Sequence, residues 1–210
     1  MSQSSRALVI IDVQNEFLLP KGNFPCPEES TKPLVENLSA LIPKFRAAGG
    51  TVIWVQAFYE DKTEAPAEMK EHEKGTDEWL TNATHVHDTP CCKAGTFGSE
   101  IYPEFWEVAD TSSDKVVSKG YYSAFKETTE LLDALREKGI TDAYFCGVAS
   151  GTCVLASVLD AVKIKEFRSH VVDDCLGFRR LNSHKEALER LARVPGLELV
   201  NSRDLKWIQE

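Results

Sequence analysis

A cysteine stands at the start of an apolar helical pattern. The stretch GVASGTCVLASVLDA places Cys153 where a strand that ends in glycine turns into that helix. The thiolate is the reactive form of cysteine, and the N–H groups and positive dipole at a helix start lower the pKa of a thiol. Cys153 is therefore a candidate nucleophile. The competing interpretation is a small buried hydrophobic residue, the commoner role of a cysteine.

Two further strand ends carry ionisable side chains. Asp12 ends the predicted strand ALVIID, and Lys119 ends KVVSK. The carboxyl ends of parallel strands meet at one edge of a sheet, so we expect both side chains to face Cys153. Asp12 could accept the thiol proton and pass it to a leaving amine, while Lys119 favours the ionised carboxylate and thiolate. The N–H groups of Ala149 and Cys153 could receive the oxyanion of a tetrahedral intermediate. A turn-capping aspartate and a solvated lysine are the structural alternatives.

Short β-rich runs alternate with helical patterns, which is typical of a parallel sheet with crossover helices. Six runs predict strands: ALVIID, TVIWVQAF, KVVSK, DAYFCGVA, FRSHVVDDC and LELVNS. Helical patterns run from about Thr31 to the double glycine at 49–50, through KETTELLDALREKGI, after Cys153 and through SHKEALERLARV. We expect one α/β domain over residues 1–210, a three-layer α/β/α sandwich with a mainly parallel six-stranded sheet.

Composition and charge limit the classes of function. The chain has 210 residues, of which 42% are hydrophobic, enough for a substantial core. Its net charge of -9 provides no broad basic face for nucleic acid or anionic lipid. The N-terminus lacks a signal-peptide pattern, and its apolar run is too short to span a bilayer. We therefore expect a cytoplasmic protein that binds a small molecule, with no nucleic-acid or membrane partner and with free cysteines.

Three motifs occur in order along the chain: LVIIDVQNEF, SKGYYSAF and CGVASGTCVLASVLDA. Together they resemble the isochorismatase-like cysteine hydrolase superfamily, which includes nicotinamidases, N-carbamoylsarcosine amidases, ureidoacrylate amidases and isochorismatases. The resemblance runs from about Ala7 to Leu199 and also includes KAGTFGSEIYPEF and VVDDCLGFRRLNSHKEALERL. A Rossmann-like sheet of the kind predicted above is the fold that it implies.

The resemblance also implies roles for particular residues. The catalytic aspartate, lysine and nucleophile of the family fall on Asp12, Lys119 and Cys153. A cis peptide common in the family would join Val148 to Ala149. Members are commonly dimers or tetramers, so the resemblance implies a homo-oligomer.

One departure from the family bears on metal binding. Nicotinamidases carry Asp-x-His and a further histidine after the second strand, which hold a metal ion. Here Asp61 is followed by Lys-Thr, and the only nearby histidine is His72. His85 and His87 have ligand-like spacing without a clear third partner, which favours a surface turn. We expect no metal and no cofactor, and the surrounding segment from Lys62 to Lys74 is either a lid or a solvated face.

Three functions stay open at this point. The presence of Cys153 favours hydrolysis of a C–N bond in a small amide, imide or ureido substrate through a cysteine acyl-enzyme. Isochorismatases proper hydrolyse a vinyl ether, for which protonated Asp12 would be a sufficient acid. A noncatalytic binding protein on the same fold is the third reading, because fold does not determine function.

Substrate contacts are predicted from residue type and position. Aromatic side chains near the expected site could stack on a small planar substrate or fill the core; these are Phe17, Trp79, Tyr122 and Phe125. Gln14 is a further candidate contact, although it and Asn15 could instead orient the turn after the first strand. Arg179 and Arg180 follow the fifth strand, where they could meet a carboxylate or form a solvated pair.

Overall fold

The computed structural model describes residues 5–59, 76–86 and 88–208. Within these ranges, six parallel strands form one sheet in the order β3-β2-β1-β4-β5-β6. The strands are β1 (Arg6–Ile11), β2 (Thr51–Ala57), β3 (Lys115–Lys119), β4 (Asp142–Gly147), β5 (Arg168–Leu176) and β6 (Glu198–Val200). The α-helices are α1 (Asn15–Leu18), α2 (Glu28–Ala47), α3 (Asp77–Asn82), α4 (Pro103–Trp106), α5 (Glu130–Glu137), α6 (Leu155–Ile164) and α7 (Leu181–Leu191).

The sheet is buried on both faces by helices. Successive side chains of a strand point to opposite faces, and β1 divides its apolar residues accordingly. Ala7, Val9 and Ile11 belong to the core shared with α5, α6 and α7. Leu8 and Ile10 belong to the core shared with α2. The predicted three-layer α/β/α sandwich with a parallel six-stranded sheet is confirmed.

The sequence of helix α2 explains its buried face and its C-terminal end. Its apolar residues recur at helical spacing, and Leu34, Leu38, Ile42 and Phe45 are fully buried. The helix begins at Glu28, earlier than the predicted Thr31, and it ends just before the double glycine, as predicted. The first of those glycines has a left-handed backbone, which glycine adopts without steric penalty.

The strand order creates a crevice between β1 and β4. The connections leave these two neighbouring strands toward opposite sides of the sheet, and ligands bind at such a point, outside the carboxyl ends of the strands. Gly147 ends β4 with φ 111°, and a Cβ there would lie 2.1 Å from the carbonyl oxygen of Ile11. The N–H of Val148 donates to that same oxygen at 2.9 Å. Glycine therefore allows the two strand ends to meet.

All six cysteines lie in the described part of the chain, where they are buried and free, as expected. Among the helices of residues 5–59, 76–86 and 88–208, none combines the length and apolarity that a membrane crossing requires. His72, His87 and the Lys62–Lys74 segment fall outside the described residues.

Candidate active site

An ion pair lies at the carboxyl edge of the sheet. Asp12 directly follows β1, with a left-handed backbone and its N–H bonded to Val55 of β2. Lys119 is the last residue of β3. Its Nζ lies 2.9 Å from Oδ2 of Asp12 and donates to the carbonyl oxygen of Tyr121 at 2.9 Å. Both side chains are completely shielded from solvent. The two predicted strand-end residues therefore meet.

Cys153 lies in a π-helical turn between β4 and α6. This turn spans Ser150–Val154 and follows the cis peptide between Val148 and Ala149. The sequence pattern predicted a plain helix start here, whereas the regular α-helix begins only at Leu155. Single π-helical turns are frequent at functional sites. The turn carries the thiol to the edge of the sheet where Asp12 lies.

A tyrosine that the sequence reasoning missed connects the lysine to the cysteine. The hydroxyl of Tyr59 lies 3.4 Å from Sγ of Cys153 and accepts a hydrogen bond from Nζ of Lys119 at 3.2 Å. Tyr59 follows the end of β2 by two residues, so it shares the edge used by Asp12. Extending the strand-end criterion by two positions would have found it.

Burial controls the electrostatics of the ion pair and the thiol. It raises the pKa of Asp12, which the charge of Lys119 opposes. It raises the pKa of Cys153 to about 12, again opposed by Lys119. Burial lowers the pKa of Lys119, but Asp12 and Cys153 together raise it by more, so the net shift is upward. The thiol pKa in the resting site is therefore raised, and not lowered as expected from a helix start, because burial outweighs the charge of Lys119.

Two residues whose N–H groups are candidate oxyanion donors line the same space. Ala149 and Cys153 both border the cavity described below, and the N–H of Ala149 donates to no backbone carbonyl among the described residues. The turn is held from behind by the N–H of Ser150, which donates to Gly177, and by the Ser150 hydroxyl, which lies 2.9 Å from Nδ1 of His184. These contacts fix the backbone of the turn that runs from Ala149 to Cys153 beside the cavity.

A cavity of about 240 Å³ opens over the thiol. Its lining includes the predicted contacts Phe17 and Tyr122, together with Arg179 and Arg180. Further residues of the lining that the sequence reasoning missed are aromatic or sulfur-bearing side chains, namely Phe24, Tyr59, Cys91 and Phe178. Phe178 follows β5 by two residues, as Tyr59 follows β2, whereas Phe24 comes from an irregular loop without a sequence signal.

Three predicted substrate contacts lie elsewhere. The side-chain amide of Gln14 is fully buried and donates to the carbonyl oxygens of Ala57 and Ser99, each at 2.9 Å, so it ties the turn after β1 to its neighbours. Trp79 packs against the helical core, and Phe125 packs edge-to-face on Phe145. The structure does not bring Gln14, Trp79 or Phe125 to the cavity.

The position of His85 differs from the prediction. The sequence favoured a surface turn, but its side chain is buried, with a residue exposure of 7%, and it lines the cavity. Its Nε2 lies 2.7 Å from the carbonyl oxygen of Thr89, and its ring packs on Phe24 and Tyr59. Nε2 is therefore engaged by a backbone carbonyl oxygen. Among residues 5–59, 76–86 and 88–208, no group of three His, Cys, Asp or Glu side chains could hold a metal ion.

Comparison with known proteins agrees with this architecture. The family model for the isochorismatase domain matches residues 6–202. Ureidoacrylate amidohydrolase RutB of Enterobacter sp. (strain 638) is 28% identical over 170 residues, 77% of this chain and 70% of that protein.

Two solved structures have the same fold. An isochorismatase family protein from Desulfovibrio vulgaris is 25% identical with a TM-score of 0.76, covering 99% of each chain. Pyrazinamidase of Pyrococcus horikoshii, solved in complex with zinc, is 25% identical with a TM-score of 0.73, covering 94% of this chain and 99% of its own. Because the family model spans nearly the whole chain, this protein belongs to the isochorismatase family and is a hydrolase of that family.

Proposed function

We propose that this hydrolase cleaves a C–N bond of a small amide, imide or ureido substrate through a thioester on Cys153. The observation that carries the proposal is the placement of the Cys153 thiol beside the buried Asp12–Lys119 ion pair, at the floor of a small cavity. Amide hydrolysis needs a nucleophile, a base that later acts as an acid, and donors for an oxyanion. The placement of Cys153, Asp12 and the turn from Ala149 to Cys153 in one site supports these three roles.

The first half of the reaction forms the acyl-enzyme. As Sγ of Cys153 attacks the substrate carbonyl, its proton passes to the carboxylate of Asp12. The carbonyl oxygen becomes an oxyanion that accepts hydrogen bonds from the N–H groups of Ala149 and Cys153. Asp12 then gives the proton to the leaving nitrogen, the C–N bond breaks, and the thioester remains. Since the thiol pKa is about 12 in the resting site, proton transfer accompanies the attack rather than preceding it.

The second half releases the acid product. A water molecule gives a proton to Asp12 as its oxygen attacks the thioester carbonyl, and the same two N–H groups receive the oxyanion. The C–S bond breaks, and the proton returns from Asp12 to Sγ of Cys153. Lys119 stays cationic throughout, because its pKa is raised above the ordinary value. Its charge favours the ionised form of Asp12, which can accept a proton.

The cavity supports a small planar substrate that carries a carboxylate. Its volume of about 240 Å³ lies below the ~300–1,000 Å³ typical of drug-sized sites. The guanidinium carbon of Arg179 lies 4.9 Å from the centroid of the Phe24 ring, and both residues line the cavity. Guanidinium groups bind carboxylates through two parallel hydrogen bonds. The relative RutB is named for ureidoacrylate, a ureido acid, which is consistent with this substrate class.

Vinyl ether hydrolysis is the second candidate, and one observation favours it. Burial raises the pKa of Asp12, which brings its carboxyl group closer to the protonated form that such a reaction uses as an acid. In that reaction the thiol of Cys153 would take no part. The amidase proposal is preferred because it uses the Cys153 thiol, which lines the cavity close to Asp12 and Lys119.

The two candidates separate in one experiment on variants. Cys153→Ala and Asp12→Asn are assayed on ureido acids, simple amides and isochorismate, with Cys146→Ala as the control, because Cys146 is equally buried but lies in the core of β4. We expect Cys153→Ala to lose C–N hydrolysis by at least roughly a thousandfold, because the covalent route needs the nucleophile. Retained amide hydrolysis by Cys153→Ala would overturn the proposal. Isochorismate turnover that survives Cys153→Ala and is lost in Asp12→Asn would establish the second candidate.

We propose that residues 1–210 act as one domain, that the enzyme needs no metal or cofactor, and that it forms a homo-oligomer in the cytoplasm. Light scattering on the purified chain would measure the oligomeric state, and a monomer would contradict that part of the proposal.

A further inference from the structure

We propose that Tyr59 is a catalytic residue that donates a hydrogen bond to Sγ of Cys153 and stabilises the thiolate whenever it forms. This inference rests on the proposed function, since it concerns the nucleophile of that reaction. The hydroxyl of Tyr59 lies between two groups of the site, 3.4 Å from Sγ of Cys153 and 3.2 Å from Nζ of Lys119. A phenol in this position adds a fourth polar group to the Asp12 carboxylate, the Lys119 ammonium and the Cys153 thiol.

The direction of the hydrogen bonds follows from the donors available. An ammonium group has donors only, so Nζ of Lys119 donates and the phenol oxygen of Tyr59 accepts. The phenol proton must then point to another acceptor. Sulfur at 3.4 Å is within the range of hydrogen bonds to that element, and a thiolate is a stronger acceptor than a thiol. Tyr59 therefore donates to Cys153, and this bond strengthens as negative charge develops on the sulfur.

The phenol keeps its own proton through the cycle. Burial raises the pKa of Tyr59 well above its usual value, and the charges of Cys153 and Asp12 raise it further, so it remains a neutral donor. When Sγ attacks the carbonyl, the S–C bond forms and the thiol proton moves to Asp12, while Tyr59 gives up a hydrogen bond rather than a proton. When the thioester is hydrolysed, the S–C bond breaks with its electron pair on sulfur, and the Tyr59 hydroxyl again stabilises the departing thiolate.

Other charged and titratable groups face the same sulfur and must be held constant in any test. Asp12 comes from the end of β1 and Lys119 from β3, and the charges of both influence the pKa of the thiol. Further ionisable groups line the cavity from other segments: His85, Cys91, Tyr122, Arg179 and Arg180. Tyr59→Phe removes one hydroxyl and leaves all of these in place, so a change in thiol titration reports on that hydroxyl.

The test measures alkylation of Cys153 by iodoacetamide as a function of pH, with peptide mapping by mass spectrometry to separate this thiol from the other five. Loss of one hydrogen bond to a charged acceptor raises the pKa of a thiol by about one unit, which slows alkylation below the pKa about tenfold. We expect that shift in Tyr59→Phe, with a matching fall in kcat. Tyr102→Phe is the matched control, because that hydroxyl bonds to Glu104 on the surface.

A second variant guards against misfolding. A ring-fluorinated tyrosine in place of Tyr59 preserves size and shape but makes the phenol a stronger donor, so the apparent pKa of Cys153 should fall. Identical alkylation profiles in wild type, Tyr59→Phe and the fluorinated protein would overturn the inference. If Cys153 never forms an acyl adduct with any substrate, the proposed function fails instead, whatever the alkylation profiles show.

Discussion

The ammonium of Lys119 lies 2.9 Å from the carboxylate of Asp12, and neither side chain reaches solvent. Each charge is therefore stabilised mainly by the other, and the charge of Lys119 opposes the rise that burial imposes on the pKa of Asp12. This pair explains how a buried aspartate keeps the ability to accept a proton. In the proposed reaction, the base Asp12 therefore depends on the charge of Lys119.

Removal of the lysine should change how stability depends on pH. In Lys119→Met the pKa of Asp12 rises further, because burial acts without the opposing charge. A carboxyl group whose pKa is raised on folding contributes stability below its unfolded pKa, and this contribution is lost as pH rises through the folded value. We therefore expect the melting temperature of Lys119→Met, relative to wild type, to fall from pH 4 toward pH 8, by an amount equivalent to about 1.4 kcal/mol per unit of pKa shift. A difference independent of pH would contradict the coupling.

The pH profile of the wild-type enzyme should separate the two candidate reactions. In the amidase mechanism Asp12 acts as a carboxylate, so kcat/KM falls as pH falls through its pKa, which lies above the usual 3.8. In vinyl ether hydrolysis the protonated form is active, so the rate would rise over the same interval. Steady-state rates in overlapping buffers measure this acidic part of the pH profile of kcat/KM. A kcat/KM that rises as the pH falls would argue against the thioester mechanism.

Close approach of the strand ends predicts a backbone requirement at β4. A Cβ at position 147 would meet the Ile11 carbonyl oxygen at 2.1 Å, and φ is 111°. We expect Gly147→Ala to reduce the free energy of unfolding by roughly 3 kcal/mol or more, and to lower activity in any protein that still folds, because Asp12 and Cys153 are displaced. Gly139→Ala is the control, since that glycine also has a positive φ but nothing lies within 4 Å of its added Cβ. Equal loss of stability in both variants in urea titrations would show that strain, rather than the contact, is responsible.

Recognition of a carboxylate by Arg179 predicts a selective loss. Arg179→Gln should raise KM for ureido acids by about ten- to a hundredfold, with little effect on the neutral amide of matching shape, because one charge-assisted bidentate contact is removed. Arg193→Gln is the control, since Arg193 pairs only with the exposed Glu189 on α7 among the described residues. Equal loss on charged and neutral substrates would assign Arg179 a packing role against Phe24 instead.

Treatment with a chelator tests the expected independence from metal. The chemistry proposed here uses a thiol, a carboxylate and backbone N–H groups, so dialysis against a strong chelator should leave kcat and KM unchanged. Loss of activity that returns on adding zinc or iron would show that a metal takes part. His72 and His87 would then be the first residues to substitute.

The catalytic candidates could be predicted because strand ends are visible in sequence. Asp12 and Lys119 close short apolar runs, and a parallel sheet brings such ends to one edge whatever the intervening loops do. The position of Cys153 follows from the same rule, although its π-helical turn has no periodic signature over so few residues. Family resemblance then assigned roles that position alone leaves open.

The wall of the cavity could not be predicted in the same way. His85 lies in an irregular segment whose path depends on tertiary contacts, so its spacing indicated only a turn. Gln14 was predicted to contact substrate because it lies close to Asp12 in the sequence. Its side-chain amide instead forms hydrogen bonds with backbone groups of Ala57 and Ser99. Periodicity identifies elements and their faces, whereas the partner of a loop side chain is settled by packing between distant segments.

Intact-mass spectrometry of the enzyme during turnover tests the central claim most directly. The protein is mixed with ureido acids, small amides and isochorismate, quenched in acid at short times, and mapped to the modified peptide. The account predicts an acyl adduct on Cys153 that forms with release of ammonia or amine, decays as the acid product appears, and is absent from Cys153→Ala. Rapid turnover with no adduct at any time, or turnover of isochorismate alone, would contradict it and leave Asp12 as the acid of a different reaction.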